Sequence, residues 1–244
     1  MAGLRWLSSS TPEDFPEASE ALEEPNGLVA AGGDLQPRRL LAAYPRGIFP
    51  WYEAGQPILW WSPNPRAILR LEALKISRSL RRSIERRGYE VTADKAFDDV
   101  VSACAAPRDY GGSTWITSEM ARAYSRLHTL GWAHSFETWL DGELVGGLYG
   151  IAIGRVFFGE SMFARTTDAS KVALARAVGF LRSRNFVLID CQVASQHLAS
   201  LGAECIPRAR FLDQLREYCD PPGTPATWVL PGSAEPHNGA GRPR

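Results

Sequence analysis

The sequence predicts an α+β (mixed α/β) fold, a small N-terminal domain followed by a larger one, on three observations. Residues 134–163 hold three apolar runs separated by tight turns, the pattern of an antiparallel meander. A helical period at 168–184 and a nearly all-apolar run at 186–193 follow, so the meander leads through a helix into a buried strand. Upstream, a stretch dense in Pro and aromatic residues at 49–65 separates this block from the start of the chain. The division is therefore 1–64 and 65–232, with a tail at 233–244 whose Gly and Pro predict disorder. At 244 residues the chain can bury a core without disulfide or metal staples.

Taken in order, residues 1–34 hold seven acids against Arg5 alone, and 1–20 read as a solvated, partly disordered lead-in. Residues 35–44 form a short helix with Asp34 as cap and Pro37 in its first turn, stopped by Gly47. The stretch with Phe49, Trp51, Tyr52, Trp60 and Trp61 is too Pro-rich for a helix or a central strand and reads as an ordered loop. Residues 67–71 are a strand. The helix at 75–87 turns Ile76, Leu80 and Ile84 inward and carries Lys75, Arg78, Arg81, Arg82, Arg86 and Arg87 against Glu85. A short strand at 89–92 and helices at 95–106 and 117–130 lead into the meander. Asp141-Gly142 makes its first hairpin. Gly146, Gly147 and Gly150 mark a bulge or a close ligand approach in its second strand. Helices at 195–201 and 208–219 follow.

Composition closes several routes. Lys plus Arg and Asp plus Glu are both 27, so bulk positive charge does not grip nucleic acid, although a local basic patch can. The four cysteines form no CxxC pair, and no metal or other cofactor is expected. No apolar run is long enough to span a membrane, and the acidic N-terminus is unlike an export signal, so a cytoplasmic protein is expected. P-loop, GxSxG, HExxH and Rossmann fingerprints are absent.

The basic helix, together with Trp51, Trp115 and Tyr124, suits a single-stranded nucleic-acid end. Phosphates take Lys and Arg, and bases stack on rings for about 1–3 kcal/mol each. A solvated basic helix beside core tryptophans explains the same composition equally well. The strand–helix–strand order also resembles the GNAT-type N-acetyltransferase fold. The turn that would cradle the CoA pyrophosphate reads GESMFARTTDASK, with no glycine pattern and with Asp168 at the helix start, where a second anion is disfavoured. A CoA-dependent acetyltransferase and a non-catalytic RNA-binding module stand as the alternatives to the following reading.

The strings EPNGLVAAGGDLQPRRLLAAYPRGIFPWY, PILWWSPNPRAIL, TWIT, HSFETW, ELVGGLYG, FFGESMF and IDCQ are colinear over about residues 4–230. Together they resemble the leucyl/phenylalanyl-tRNA–protein transferase family. The resemblance implies a GNAT-like acyltransferase domain after the N-terminal piece. It implies an aminoacyltransferase that moves Leu or Phe, with Met leaking through, from aminoacyl-tRNA to the N-terminal Arg or Lys of acceptor proteins. The product would be an N-degron for protein degradation, and the enzyme is expected to be monomeric. Trp51 and Trp115 would embrace the terminal adenosine, with Tyr44 and Tyr124 near its ribose or phosphate. Leu148, Phe157, Leu174, Ala177, Leu181 and Ile189 would form the amino-acid pocket. Ala177 is small where family members often place an aromatic ring, which suggests a roomier pocket favouring Phe. Lys75, Arg78, Arg81 and Arg82 would hold the tRNA backbone.

Glu160, Asp190 and Gln192 are the polar group that the resemblance makes catalytic. The donor is an activated ester, so the enzyme need only align the amine and stabilise an oxyanion. Asp190 and Gln192, two apart on one strand, are expected on the same face. The Gln192 carbonyl would accept a hydrogen bond from the attacking amine. Asp190 would polarise Gln192, take up the proton, or only cap the strand. Glu160 would hold the donor's α-amino group or the incoming cation. Cys191 is expected to face the opposite way as core, and not to act as a nucleophile. His128, His134 and His197 receive no chemical role.

Overall fold

The computed structural model describes residues 4–11, 13–107 and 115–231; the predicted tail at 233–244 lies outside them. The chain opens with β1 (Arg5–Leu7), β2 (Leu28–Gly32), α1 (Pro37–Ala43), β3 (Phe49–Pro50) and β4 (Leu59–Trp61). These strands form a four-stranded sheet in the order β1-β2-β4-β3. The aromatic stretch is therefore partly strand, against the loop expectation. The pairing is possible because β3 is an edge strand, where the missing N–H of Pro50 breaks no internal ladder. Trp60 is fully buried and donates its indole N–H to the Gly32 carbonyl at 2.9 Å, so it is scaffold.

The lead-in is likewise more ordered than its charge suggests. β1 pairs in parallel with β2, Phe15 and Ala18 are buried, and the acids find cations that the fold brings back to them. Arg5 pairs with Asp14 at 2.6 Å and Arg38 with Glu13. Counting charges along residues 1–34 could not see Arg38, which reaches Glu13 only through α1.

A larger sheet follows, built of β5 (Arg66–Arg70), β6 (Glu90–Ala93), β7 (Ala133–Leu140), β8 (Glu143–Ile153), β9 (Val156–Ala164), β10 (Leu188–Gln192) and β11 (Glu204–Ile206). Its order is β11-β5-β10-β9-β8-β7-β6. The predicted meander is β7, β8 and β9. The edge strand β11, only three residues with Glu204 and Cys205 exposed, carries too weak a pattern to be foreseen. Helices α3 (Phe97–Ala105) and α4 (Ser118–Thr129) pack on one face and α5 (Ala169–Ser183) on the other. One apolar core runs from Trp60 and Tyr44 into the α3–α4 face, and a second lies under α5. The short α6 (Gln196–Ser200) and α7 (Arg208–Tyr218) complete the order.

The basic helix α2 (Arg78–Arg86) starts later than its pattern implied, because the Ser77 hydroxyl caps it by accepting from Leu80 N at 3.1 Å. Lys75 and Ile76 precede the helix, and Ile76 is exposed where an inward position was expected. Leu80 and Ser83 are the buried positions. Among the described residues no helix is long and apolar enough to cross a membrane.

Candidate active site

Two bulges shape the centre of the large sheet. On β9, Ser161 pairs with Tyr149 and Gly159 with Gly150, so Glu160 is an extra residue between them. On β10, Asp190 pairs with Ile68 and Gln192 with Ala67, so Cys191 is the extra residue there. Gly150 permits the first bulge: a Cβ there would lie 2.2 Å from the Phe158 carbonyl oxygen. Gln192 adopts φ 57, the left-handed region. The parallel strands β9 and β10 pair at Phe158 and Asp190 and no further along β9. There a cavity of about 490 Å³ opens, lined by residues 159–164, by Asp190, Cys191 and Gln192, and by apolar side chains beneath.

On one wall stands Glu160, deep in the molecule but with part of its surface open to the cavity. Tyr44 donates to its Oε1 at 2.7 Å and Tyr124 to its Oε2 at 2.5 Å, while the two phenol oxygens lie 2.9 Å apart. Burial pushes the Glu160 pKa up to about 7, although both hydroxyls favour its carboxylate. Two phenolic protons fill only two of these three oxygen–oxygen contacts. Burial, and then the charge of Glu160, hold both phenols well above the ordinary tyrosine value, so they stay donors.

The facing wall is built around a matched charge. Arg66 donates from Nε to Asp190 Oδ1 at 2.8 Å and from Nη2 to Oδ2 at 2.7 Å, with both side chains inaccessible to solvent. The guanidinium also donates to the Gly47 carbonyl at 3.0 Å and lies between the rings of Phe49 and Phe211, 4.8 and 4.7 Å from their centroids. Asp190 Oδ1 further accepts the Gln192 backbone N–H at 3.0 Å. Asp190 thus spends three hydrogen bonds inside the fold, and one of them fixes the backbone that carries Gln192. The Gln192 Nε2 is buried without a hydrogen-bond partner among the described residues.

The other predicted residues are placed unevenly. Leu148, Phe157, Leu174 and Ile189 line the cavity together. Ala177 and Leu181 do not; they are fully buried further along α5. Trp115 is on the cavity wall, whereas Trp51 is 44% exposed beyond it, edge-on to Trp61. Tyr44 and Tyr124 have no exposed surface and serve Glu160, which leaves neither ring a face for a ribose or phosphate. Lys75, Arg78, Arg81 and Arg82 are all exposed. The Ser83 hydroxyl ties α2 to Asp168 at the start of α5, which borders the cavity through Ser170 and Leu174. Strict alternation fails at both bulges, so Cys191 lines the cavity instead of facing away. Arg66, Tyr149, Met162 and Ser170 were not foreseen. Arg66 lies within the recognised string PILWWSPNPRAIL but carried no pattern of its own.

Comparison with known proteins places this geometry. A family model described as leucyl/phenylalanyl-tRNA protein transferase matches residues 68–216, and one for the N-terminal domain of the same transferase matches residues 33–64. A leucyl/phenylalanyl-tRNA–protein transferase from Aromatoleum aromaticum is 56% identical over 232 residues, covering 95% of this chain and 97% of the relative. One from Pseudomonas paraeruginosa is 57% identical over 223 residues, 91% and 98% of the two chains. One from Nitrosomonas europaea is 52% identical over 236 residues, 95% and 99%.

Proposed function

The chain belongs to the leucyl/phenylalanyl-tRNA–protein transferase family, and from that membership we propose how its cavity performs the reaction. The protein is an aminoacyltransferase acting on aminoacyl-tRNA and a protein N-terminus. The donors are Leu-tRNA and Phe-tRNA, and the acceptors carry N-terminal Arg or Lys. The product is an N-degron, and the enzyme works as a monomer in the cytoplasm. Residues 1–64 form the smaller domain and 65–232 the GNAT-like one, a boundary supported by the break between the two matched ranges at 64 and 68.

One observation carries this reading: a single cavity with an apolar floor of Leu148, Phe157, Leu174 and Ile189 under two polar walls. The floor takes the Leu or Phe side chain, whose burial is worth about 1.5–3 kcal/mol. Glu160, at the border between floor and wall, accepts a hydrogen bond from the donor's α-amino group. Trp115 and the exposed Trp51 offer indole faces to the terminal adenine. Arg78, Arg81 and Arg82 of α2, with Lys75, meet the acceptor-stem phosphates. Asp190 neither gives nor takes a proton; it orients Gln192, whose amide oxygen accepts an N–H of the incoming amine. The amine nitrogen attacks the ester carbonyl carbon and an oxyanion forms, towards which Gln192 Nε2 donates. Collapse breaks the bond to the ribose oxygen, and the proton shed by the amine ends on that oxygen. Peptide and free tRNA leave.

A transfer assay tests the whole. Radiolabelled Leu-tRNA or Phe-tRNA is mixed with a protein bearing N-terminal Arg or N-terminal Ala. Label is expected on the Arg protein only. Equal labelling of both, or of neither, refutes the reading.

A further inference from the structure

We infer that the segment following α7 braces the donor pocket from behind its lining, and that its Trp228 is a positioning residue that sets how far the Phe157 ring reaches into that pocket. The inference rests on the cavity being the aminoacyl site. Trp228 lies beyond the matched family range, which ends at residue 216.

Residues 220–231 contain no helix or strand, yet they are pinned at three points. The Pro222 carbonyl accepts from Gly154 N at 2.5 Å, Ala226 N donates to the Gly131 carbonyl at 3.1 Å, and Trp228 N donates to Asp94 Oδ2 at 2.7 Å. The turns around the meander are cut to admit the chain end. A Cβ on Gly154 would stand 2.7 Å from Cys219 Cα, where the chain leaves α7, and one on Gly131 would stand 2.8 Å from Ala226 N. Asp94 joins the attachment to the sheet, since it also accepts from Ser135 N at 3.0 Å and contacts His134 Nδ1 at 2.8 Å.

What the segment delivers is a ring. Trp228 is 4% exposed and stacks flat on His134, with centroids 3.5 Å apart. The rings of Phe136, Phe157, Phe180 and Phe186 surround it at 5.9, 6.0, 5.2 and 5.8 Å. Of these only Phe157 lines the donor cavity. Phe157 therefore lines the cavity while its ring packs against Trp228 and Phe136, with centroids 6.0 and 6.3 Å away. A close-packed interior gives such a ring no second resting place while the indole is present. Without the indole, Phe157 can drop back and the floor deepens. A deeper floor suits the longer Phe side chain and loses contact with Leu.

The test is competition between Leu-tRNA and Phe-tRNA in one vessel, for the wild type, Trp228→Ala and Trp228→Phe. The ratio of the two products does not depend on how much enzyme is folded, so a purely structural role cannot move it. Trp228→Ala is expected to raise the Phe-to-Leu ratio about fivefold, mainly through a higher KM for Leu-tRNA, and Trp228→Phe to restore most of the wild-type ratio. Should the alanine variant fail to fold, Trp228→Leu must shift the ratio the same way. An unchanged ratio, with both donors slowed alike, overturns the inference while leaving the family reading intact. A wild type that transfers neither amino acid overturns both.

Discussion

The wall of the cavity that carries Asp190 and the wall that carries Glu160 hold the same chemical group in opposite company. Asp190 meets a guanidinium through two parallel hydrogen bonds and a backbone N–H besides. Glu160 accepts, among the described residues, from two neutral phenols, and burial lifts its pKa to about 7. A carboxylate whose charge is matched inside the fold has little left for a substrate and behaves as framework. A carboxyl whose charge is not matched titrates near neutrality and is available to bind a cation or exchange a proton. The comparison separates the scaffold acid from the working acid without reference to any relative.

The largest expected effect breaks the matched wall. Arg66→Ala leaves Asp190 buried without its cation and is expected to destabilise the fold by about 3–5 kcal/mol, read from the midpoint of urea unfolding. A loss under about 1 kcal/mol would mean that Asp190 protonates or rehydrates easily, and the contrast between the walls would collapse.

Glu160→Gln tests the other wall and should do the reverse: retain the fold and lose the reaction. Losing one charge-assisted hydrogen bond to the donor's amino group predicts about a 10- to 100-fold fall in kcat/KM for aminoacyl-tRNA. The sign of the pH dependence follows from the raised pKa. The folded state holds a proton on Glu160 that the unfolded chain, with its value near 4.5, gives up sooner. The wild type should therefore lose stability relative to Glu160→Gln as pH rises from about 4.5 to about 7. Across the same rise, binding of a non-reactive aminoacyl-adenosine analogue should strengthen in the wild type and stay flatter in the variant. Parallel stability curves would place the titration elsewhere.

How much of this was legible in the sequence depends on period and distance. The meander, α5 and β10 were readable because their apolar patterns extend over many residues. The four-stranded sheet was not, since its strands are two to five residues long and lie among prolines. The candidate residues were found through resemblance, but their company was not. Asp190 and Gln192 do reach one cavity, but alternation also sent Cys191 the other way, and the bulge there brings it to the same cavity. Arg66 lies 124 residues from its partner, and no local pattern announces an ion pair across that distance. Tyr44 and Tyr124 look like ligand-stacking rings in a list of aromatics, and become hydrogen-bond donors only when the turn after α1 and the helix α4 converge on Glu160.

A mid-sized effect should come from outside both walls. Arg81→Glu with Arg82→Glu is expected to raise the KM for charged tRNA about tenfold at low salt and to lessen its salt dependence. The short aminoacyl-adenosine substrate should be handled as before. Equal loss on both substrates would mean that α2 shapes the cavity instead of holding the tRNA.

Removing one hydroxyl from the working wall tunes it. Each phenol stabilises the Glu160 carboxylate, so Tyr124→Phe should push the titration midpoint above 7 and cost about 1 kcal/mol of stability or less. A midpoint that moves down would mean that the two phenols hold the neutral acid more tightly than the ionised one.

The smallest effect is expected at Cys191, which lies between Asp190 and Gln192 and lines the same cavity. A thiol beside a reactive ester invites a covalent route, with the aminoacyl group passing first to sulfur. The surroundings oppose it. Burial, and then the negative charge of Asp190, push the thiol pKa far above the ordinary cysteine range, so almost no thiolate exists at neutral pH. Arg66, paired with Asp190, also favours a thiolate, but burial and the Asp190 charge outweigh it. Direct attack by the amine needs no sulfur at all. Cys191→Ala should therefore leave kcat/KM within about threefold of the wild type, and no labelled acyl-enzyme should survive an acid quench before the acceptor is added. A rate that collapses in Cys191→Ala, or label retained on the protein without acceptor, would replace direct aminolysis with a two-step transfer and make the residue between the walls the reacting one.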